Sequence, residues 1–310
     1  MDGFLVTGGA GFIGSHLADA LLAAGRRVRV LDDFSTGRWA NLEPRCELVV
    51  GDVADPAVLR AAMAGMQGCF HLAAIASVER ANTDWRGTHR VNQGGSIAVF
   101  EAARDAGRLP VVYASSAAVY GDLAGAVARE GAACAPRTAY GADKLGSELH
   151  ARVAWLVHGV PTLGLRFFNV YGPRQDPASP YSGVVSIFAA RLAQGAALTL
   201  HGDGGQTRDF VHVADVVAHL RAAMARLRGG GAGAAVLNVC TGRETSVRDL
   251  AATLGGVFGV VPRIGHGPAR PGDIARSLGD PAGAIAALGI AARVRLADGL
   301  MAMRENLARQ

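Results

Sequence analysis

The chain has 310 residues, 50% of them hydrophobic and 18% charged, enough to bury a sizeable core as one large domain or two. Its formal net charge of +5 suits an anionic partner, but no basic cluster is interleaved with aromatics, which argues against nucleic acid and leaves an anionic small molecule. No apolar run approaches the roughly 20 residues of a membrane helix, and Phe4-Leu5-Val6 runs straight into glycines, so neither a span nor a secretory leader is expected; four scattered cysteines without a Cys-x-x-Cys pair read as free thiols of a reducing cytoplasm.

In chain order, Phe4 to Thr7 predicts a buried strand, Gly8, Gly11 and Gly14 a tight turn, and Ser15 onwards a helix. Strand, glycine turn and helix form the context in which a dinucleotide pyrophosphate is bound by backbone N–H groups at a helix N-terminus. Arg27 to Leu31 predicts a second strand ending at Asp32-Asp33. An acidic residue there suits the ribose 2′-hydroxyl of NAD and repels the extra phosphate of NADP, although Arg38 lies only six residues on. Glu47 to Val50 is a third strand with Asp52 just beyond it, Asp55 opens a helix to about Met66, and Cys69 to Leu72 is a fourth strand followed by the small pair Ala73-Ala74. His71, inside that strand, reads as a core histidine. A helix from about Thr88 to Ala106 carries Asn92, a fifth strand from Val111 to Ala114 ends at Ser115-Ser116, a helix runs from Thr138 to about His158, and a sixth strand from Thr162 to Phe168 ends at Asn169.

This alternation predicts an α/β fold with a doubly wound parallel sheet, a Rossmann-type domain over residues 1–170. In such sheets ligands gather at the carboxyl ends of the strands, and Gly8, Asp32, Ala73, Ser116 and Asn169 all fall there. Residues 171–310 read as a smaller, mixed α/β substrate domain. It contains a loop from Tyr171, a helix from Val184, short strands at Leu198–His201 and Val236–Cys240, and a helix capped by Ser246. Residues 204–228, which lead into a helix from Ala214, are expected to return to the first domain.

Lysine and arginine together number 31, and Lys144 is the sole lysine. It lies four residues after Tyr140 on a predicted helix, so the two side chains share one face. An ammonium ion beside a phenol favours the phenolate, which would make Tyr140 a general base near neutral pH. Arginine differs in shape and reach and would be a poor substitute.

Taken together, Thr7-Gly-Gly-Ala-Gly-Phe-Ile-Gly-Ser15, Asp32, Gly51-Asp52, His71-Leu-Ala-Ala74, Ser115-Ser116, Tyr140-x-x-x-Lys144, Arg166-Phe-Phe-Asn-Val-Tyr-Gly-Pro-Arg174, Arg208-Asp-Phe-Val-His-Val213 and Arg270-Pro-Gly-Asp273 resemble the extended short-chain dehydrogenase/reductase family, nearest its bacterial nucleotide-sugar 4-epimerases. The resemblance implies NAD at Gly8, Gly11, Phe12, Ile13 and Gly14, with Asp32 on the adenosine ribose and Asp33, Ser35, Thr36 and Gly37 nearby. Asp52 and Val53 would flank adenine, while Leu72, Ala73, Ala74, Asn92, Ala114, Ser115 and Phe167 would line the cofactor. Tyr140 would be the base and Lys144 its electrostatic partner, with Ser116 bonded to the sugar O4. Asn169, Thr199, His201, Arg208, Arg270 and Asp273 would hold a UDP-sugar, with Ser277 beside the C2 substituent.

Where dehydratases of the family carry an acidic pair after strand five, this chain has Ala117-Ala118, which argues for epimerisation through a 4-keto sugar. A reductase of 4-keto nucleotide sugars is the alternative, and a non-catalytic dinucleotide sensor a weaker one. The resemblance also implies a homodimer built from the Asn92 and Tyr140 helices, using Ile97, Phe100, Trp155 and Leu156.

Overall fold

The computed structural model describes residues 2–76, 78–177, 183–231, 233–269 and 274–308. Its centre is a seven-stranded, wholly parallel sheet. Six strands come from the first 170 residues: β1 (Gly3–Thr7), β2 (Arg27–Asp32), β3 (Glu47–Val50), β4 (Cys69–His71), β5 (Val111–Ser116) and β6 (Thr162–Phe167). The seventh, Ala235–Val239, closes one edge beside β6, and the order across the sheet is then β6, β5, β4, β1, β2, β3. A parallel sheet must be covered on both faces, which is why β1 and β6 are buried at every position. One face packs on α1 (Phe12–Ala23) and the helix Val213–Arg228, in a core that joins Phe4, Val6, Leu17 and Leu21 to Val216, Leu220 and Met224. The other face packs on α2 (Pro56–Met63) and, after the short helices α3 (Val78–Thr83) and α4 (Trp85–His89), on α5 (Gly95–Asp105) and α6 (Ala139–His158).

Winding proceeds outward from β1 to β3 on one side and from β4 to β6 on the other. The crevice between the carboxyl ends of β1 and β4 is therefore the switch point at which such sheets bind ligands. The chain is drawn close there: a Cβ on Gly8 would lie 2.7 Å from the Ala73 nitrogen, and Gly8 sits at φ +69°, so this turn needs glycine on both counts.

The strand expected at Val236–Cys240 within the second domain instead joins the main sheet beside β6, and the structure departs from the sequence expectation at three further places. The helix expected from Thr88 to Ala106 is broken into α4, a π-helical turn over Arg90–Gly94, and α5. Paired glycines at 94 and 95 remove the side chains that would otherwise hold a regular helix. Strand five runs on to Ser116 and then tightens into a 3₁₀ turn, Ala117–Tyr120. Strand six stops at Phe167, and Asn169–Tyr171 instead pairs with Thr207–His212 in a small second sheet that also takes Glu244–Ser246 and Arg276–Ser277. This second region has its own core, including Tyr171, Phe188, Leu200, Phe210, Leu250 and Leu300. Among the described residues, no helix is long and apolar enough to cross a membrane.

Candidate active site

At the first strand end, α1 begins at Phe12 behind Gly11 with no side-chain cap, so its first N–H groups face the crevice unclaimed by a capping residue. A Cβ on Gly14 would stand 2.1 Å from the Gly8 carbonyl oxygen, and this absence of side chains lets the helix start press against the turn. Asp32, buried at the end of β2, accepts the Ala10 N–H at 2.9 Å and the Phe34 N–H at 2.9 Å. Burial raises its carboxyl pKa, and the two backbone donors oppose that rise. Each oxygen keeps a lone pair for a hydroxyl donor. The next turn is tied by Asp33, whose carboxylate accepts the Ser35 N–H and hydroxyl at 2.9 and 2.7 Å, while a Cβ on Gly37 would reach within 2.7 Å of Asp32. Arg38 forms an ion pair with Asp176.

Past β3, Asp52 accepts the Ala54 N–H at 2.8 Å and pairs with Arg90 at 2.7 Å, and Val53 is buried beside it. Leu72, Ala73 and Ala74 follow β4 as half-buried residues. The crevice thus has what NAD requires: side-chain-free backbone at an open helix start, and a carboxylate at the neighbouring strand end. Asn92 and Ser115, both expected along the cofactor, are hydrogen-bonded to protein partners. The Asn92 amide binds Ile75 twice, at 2.7 Å to its nitrogen and 3.0 Å to its oxygen, and the Ser115 hydroxyl donates to Glu148 at 2.5 Å.

The opposite wall is α6, capped by Thr138, whose hydroxyl accepts the Gly141 N–H at 3.0 Å. Lys144 is 3% exposed; its Nζ donates to the Ala114 carbonyl at 2.8 Å and lies 5.8 Å from the centre of the Tyr140 ring. Ser116, at the end of β5, stands beside the Tyr140 hydroxyl, a neighbour that eases phenol ionisation. The sequence argument placed the Tyr140 pKa below its ordinary value, but here burial dominates and holds it above. Burial also presses the Lys144 ammonium down to about 8, opposed by the carboxylates of Asp143 and Glu148. The lysine charge is thus divided between two carboxylates and a carbonyl as well as the nearby phenol ring.

Two residues that the sequence reading did not assign to the site support this wall. Glu148, one α6 turn beyond Lys144, grips Arg166 of β6 through two bonds of 2.8 and 2.7 Å, with both side chains only 6% exposed. The Arg166 guanidinium also lies 4.7 Å from the Tyr120 ring centre. No local pattern announces this pair, because its halves come from different elements.

The residues expected at the nucleotide come from several short strands. Asn169 opens the strand beside Thr207–His212, and Arg208 on the latter stands in register with Ser277. The Arg208 guanidinium donates to the Thr207 and Ile274 carbonyls at 2.8 and 2.7 Å. Thr199 and His201 lie two apart on Leu198–His201, hence on one face, and His201 is bonded to the Pro268 carbonyl at 3.2 Å. Phe167, at the end of β6, is buried in the main core. Arg270 and Asp273 lie outside the described residues. Asp209 was missed as an anchor: fully buried beside Arg208, it receives Thr241 and Gly242 through bonds of 2.7 to 2.9 Å.

A parallel sheet with a glycine turn at its switch point, faced by a tyrosine–lysine helix, defines a dinucleotide-binding protein of the doubly wound class. The chain belongs to the NAD dependent epimerase/dehydratase family, whose model matches residues 4–240. It is 39% identical over 304 residues to the UDP-glucose 4-epimerase of Mycolicibacterium smegmatis, covering 96% of this chain and 95% of that one. Among solved structures it superposes on the UDP-glucose 4-epimerase of Thermotoga maritima with UDP-glucose at a TM-score of 0.94 and 32% identity, over 99% of each chain. The Thermus thermophilus UDP-glucose 4-epimerase in complex with NAD gives a TM-score of 0.90 at 34% identity, again over 99% of each.

Proposed function

We propose that the protein is an NAD-dependent 4-epimerase of a UDP-hexose, interconverting UDP-glucose and UDP-galactose through a transient 4-keto sugar. The observation that carries this reading within a family of epimerases and dehydratases is the turn after β5. It brings Ser116 to Tyr140 but carries alanine at 117 and 118, so this turn offers no carboxyl group to protonate a departing hydroxyl.

Held by the glycine turn and the Asp32 carboxylate, NAD would supply reversible hydride exchange at C4. Burial raises the Tyr140 pKa, and the neighbouring Ser116 hydroxyl opposes that rise. Tyr140 takes the O4 proton as C4 is oxidised, Ser116 holds O4, and Lys144 keeps the phenolate from being stranded in a buried site. After the keto sugar turns over, Tyr140 returns the proton and the cycle closes without a second substrate.

Arg208, Asn169, Thr199 and His201 hold the UDP moiety, together with Arg270 and Asp273. Ser277, half-buried opposite Arg208, leaves room beside the sugar C2. UDP-N-acetylglucosamine is therefore a second substrate in this reading.

The protein acts as a homodimer through α5 and α6. Leu149, Val153, Leu156 and Val157 expose 59, 48, 67 and 68% of their surface along one side of α6. Phe100 is corrected out of the expected contact set, being 4% exposed and packed edge-on against Tyr113. The described cysteines are all free, in keeping with a reducing cytoplasm. The test is a panel of UDP-sugars with product analysis: C4 epimers without net NADH absorbance support the reading, and stoichiometric NADH consumption replaces it with the reductase.

A further inference from the structure

We propose that His71 is a positioning residue: a neutral imidazole with its proton on Nε2, it locks the cofactor-facing loop after β4 in register with α6. Its ring bridges two hydroxyls, Thr7 Oγ1 at 2.8 Å from Nδ1 and Ser96 Oγ at 3.1 Å from Nε2. The single Ser96 proton goes to the Asn92 carbonyl at 2.6 Å. Ser96 therefore presents only lone pairs to the imidazole, and Nε2 must be the donor. Nδ1 is then an acceptor and takes the Thr7 proton, which leaves Thr7 Oγ1 free to accept the Ala73 N–H at 3.3 Å. The opposite tautomer would set two lone pairs against each other at Nε2. Burial and the nearby Lys144 ammonium push the His71 pKa down to about 3, so the ring stays neutral across the working range.

The loop Leu72–Ile75 is thereby held at two points, Ala73 through Thr7 and His71, and Ile75 through the Asn92 amide. Both routes meet at Ser96. From there Ser147, whose single hydroxyl proton is given to Ser96 Oγ at 3.0 Å, carries the connection into α6 three residues beyond Lys144. The chain thus spans β1, β4, α5 and α6, and its far end sets the Ala73 amide against Gly8, where a Cβ would already be too close. Buried polar groups linked in this way are strongly coupled, and a break at one place is felt along the chain.

The inference rests on the NAD site alone and is independent of the sugar. It is tested by a double-mutant cycle read as NAD affinity on cofactor-stripped full-length protein by calorimetry, with melting temperature recorded in parallel. His71→Leu is expected to weaken NAD about tenfold, the scale of one lost buried hydrogen-bond partner. Ser147→Ala should weaken it by a smaller factor, and the double variant should match His71→Leu rather than the product of the two, because both act through Ser96. Multiplying losses, or a lowered melting temperature with NAD affinity unchanged, overturns the proposal. Should His71→Leu not fold, Thr7→Val replaces it in the same cycle under the same criterion. Independently, ¹⁵N-imidazole labelling of the wild type, with the resonance assigned by its shift in Thr7→Val, should show the Nε2–H form. An Nδ1–H form refutes the tautomer and with it the proposal.

Discussion

Lys144→Met should abolish turnover and make the protein more stable near neutral pH. Burial takes the ammonium pKa from 10.5 to about 8. That displacement corresponds to about 3 kcal/mol of folded-state penalty on the charged form. Methionine has a similar length and no charge, but it forfeits the 2.8 Å bond to the Ala114 carbonyl, worth about 1 kcal/mol. The net expectation at pH 7 is a gain of about 2 kcal/mol, or several degrees in Tm at about 2 °C per kcal/mol. The pH dependence follows from the sign of the displacement. Below about pH 8 both folded and unfolded lysines are charged and the full penalty is present. Between about 8 and 10.5 the folded protein has shed its proton while the unfolded chain still holds one, so wild-type stability gains on the variant as pH rises. The assay is chemical denaturation of cofactor-stripped wild type and variant at pH 7 and pH 10.5, with the stability difference narrowing at the higher pH. A variant less stable than wild type at pH 7, or a difference independent of pH, refutes the reasoning. Lys144→Arg tests shape against charge: its planar fork does not match the single carbonyl contact, so it should also lose activity, and full activity would show that any cation suffices.

Tyr140→Phe should slow epimerisation at least about a hundredfold while the fold survives, and near-normal product formation would remove Tyr140 from the base role. Stripped protein should bind NAD more tightly than NADP because the Asp32 carboxylate at the end of β2 would repel a 2′-phosphate, and calorimetry showing the reverse order would count Asp32 out as the selector. Leu156→Glu, at a site 67% exposed, should halve the mass seen by light scattering at micromolar concentration; a wild type that is already monomeric would refute the α5–α6 dimer. Ser277→Tyr should depress the rate on UDP-N-acetylglucosamine far more than on UDP-glucose, and equal effects on both would show that position 277 is not the selector.

What the sequence discloses and what it hides separate along a physical line. The glycine turn, Asp32 and the Tyr140–Lys144 spacing are local: each depends on residues a few positions apart, and the folded chain places them at strand and helix ends as read. The fates of Asn92, Ser115 and His71 depend on partners 17 to 64 residues away, which no periodicity reports. The same holds for Glu148 with Arg166, 18 positions apart yet joined by two bonds. The direction of the Tyr140 pKa is the clearest case. Proximity to an ammonium is a pairwise fact legible at i and i+4, whereas desolvation is set by everything that encloses the ring. In the ligand-free protein the enclosure outweighs the pair. The phenol is therefore held protonated, and any base role for Tyr140 must overcome the cost of burial that Ser116 only partly offsets.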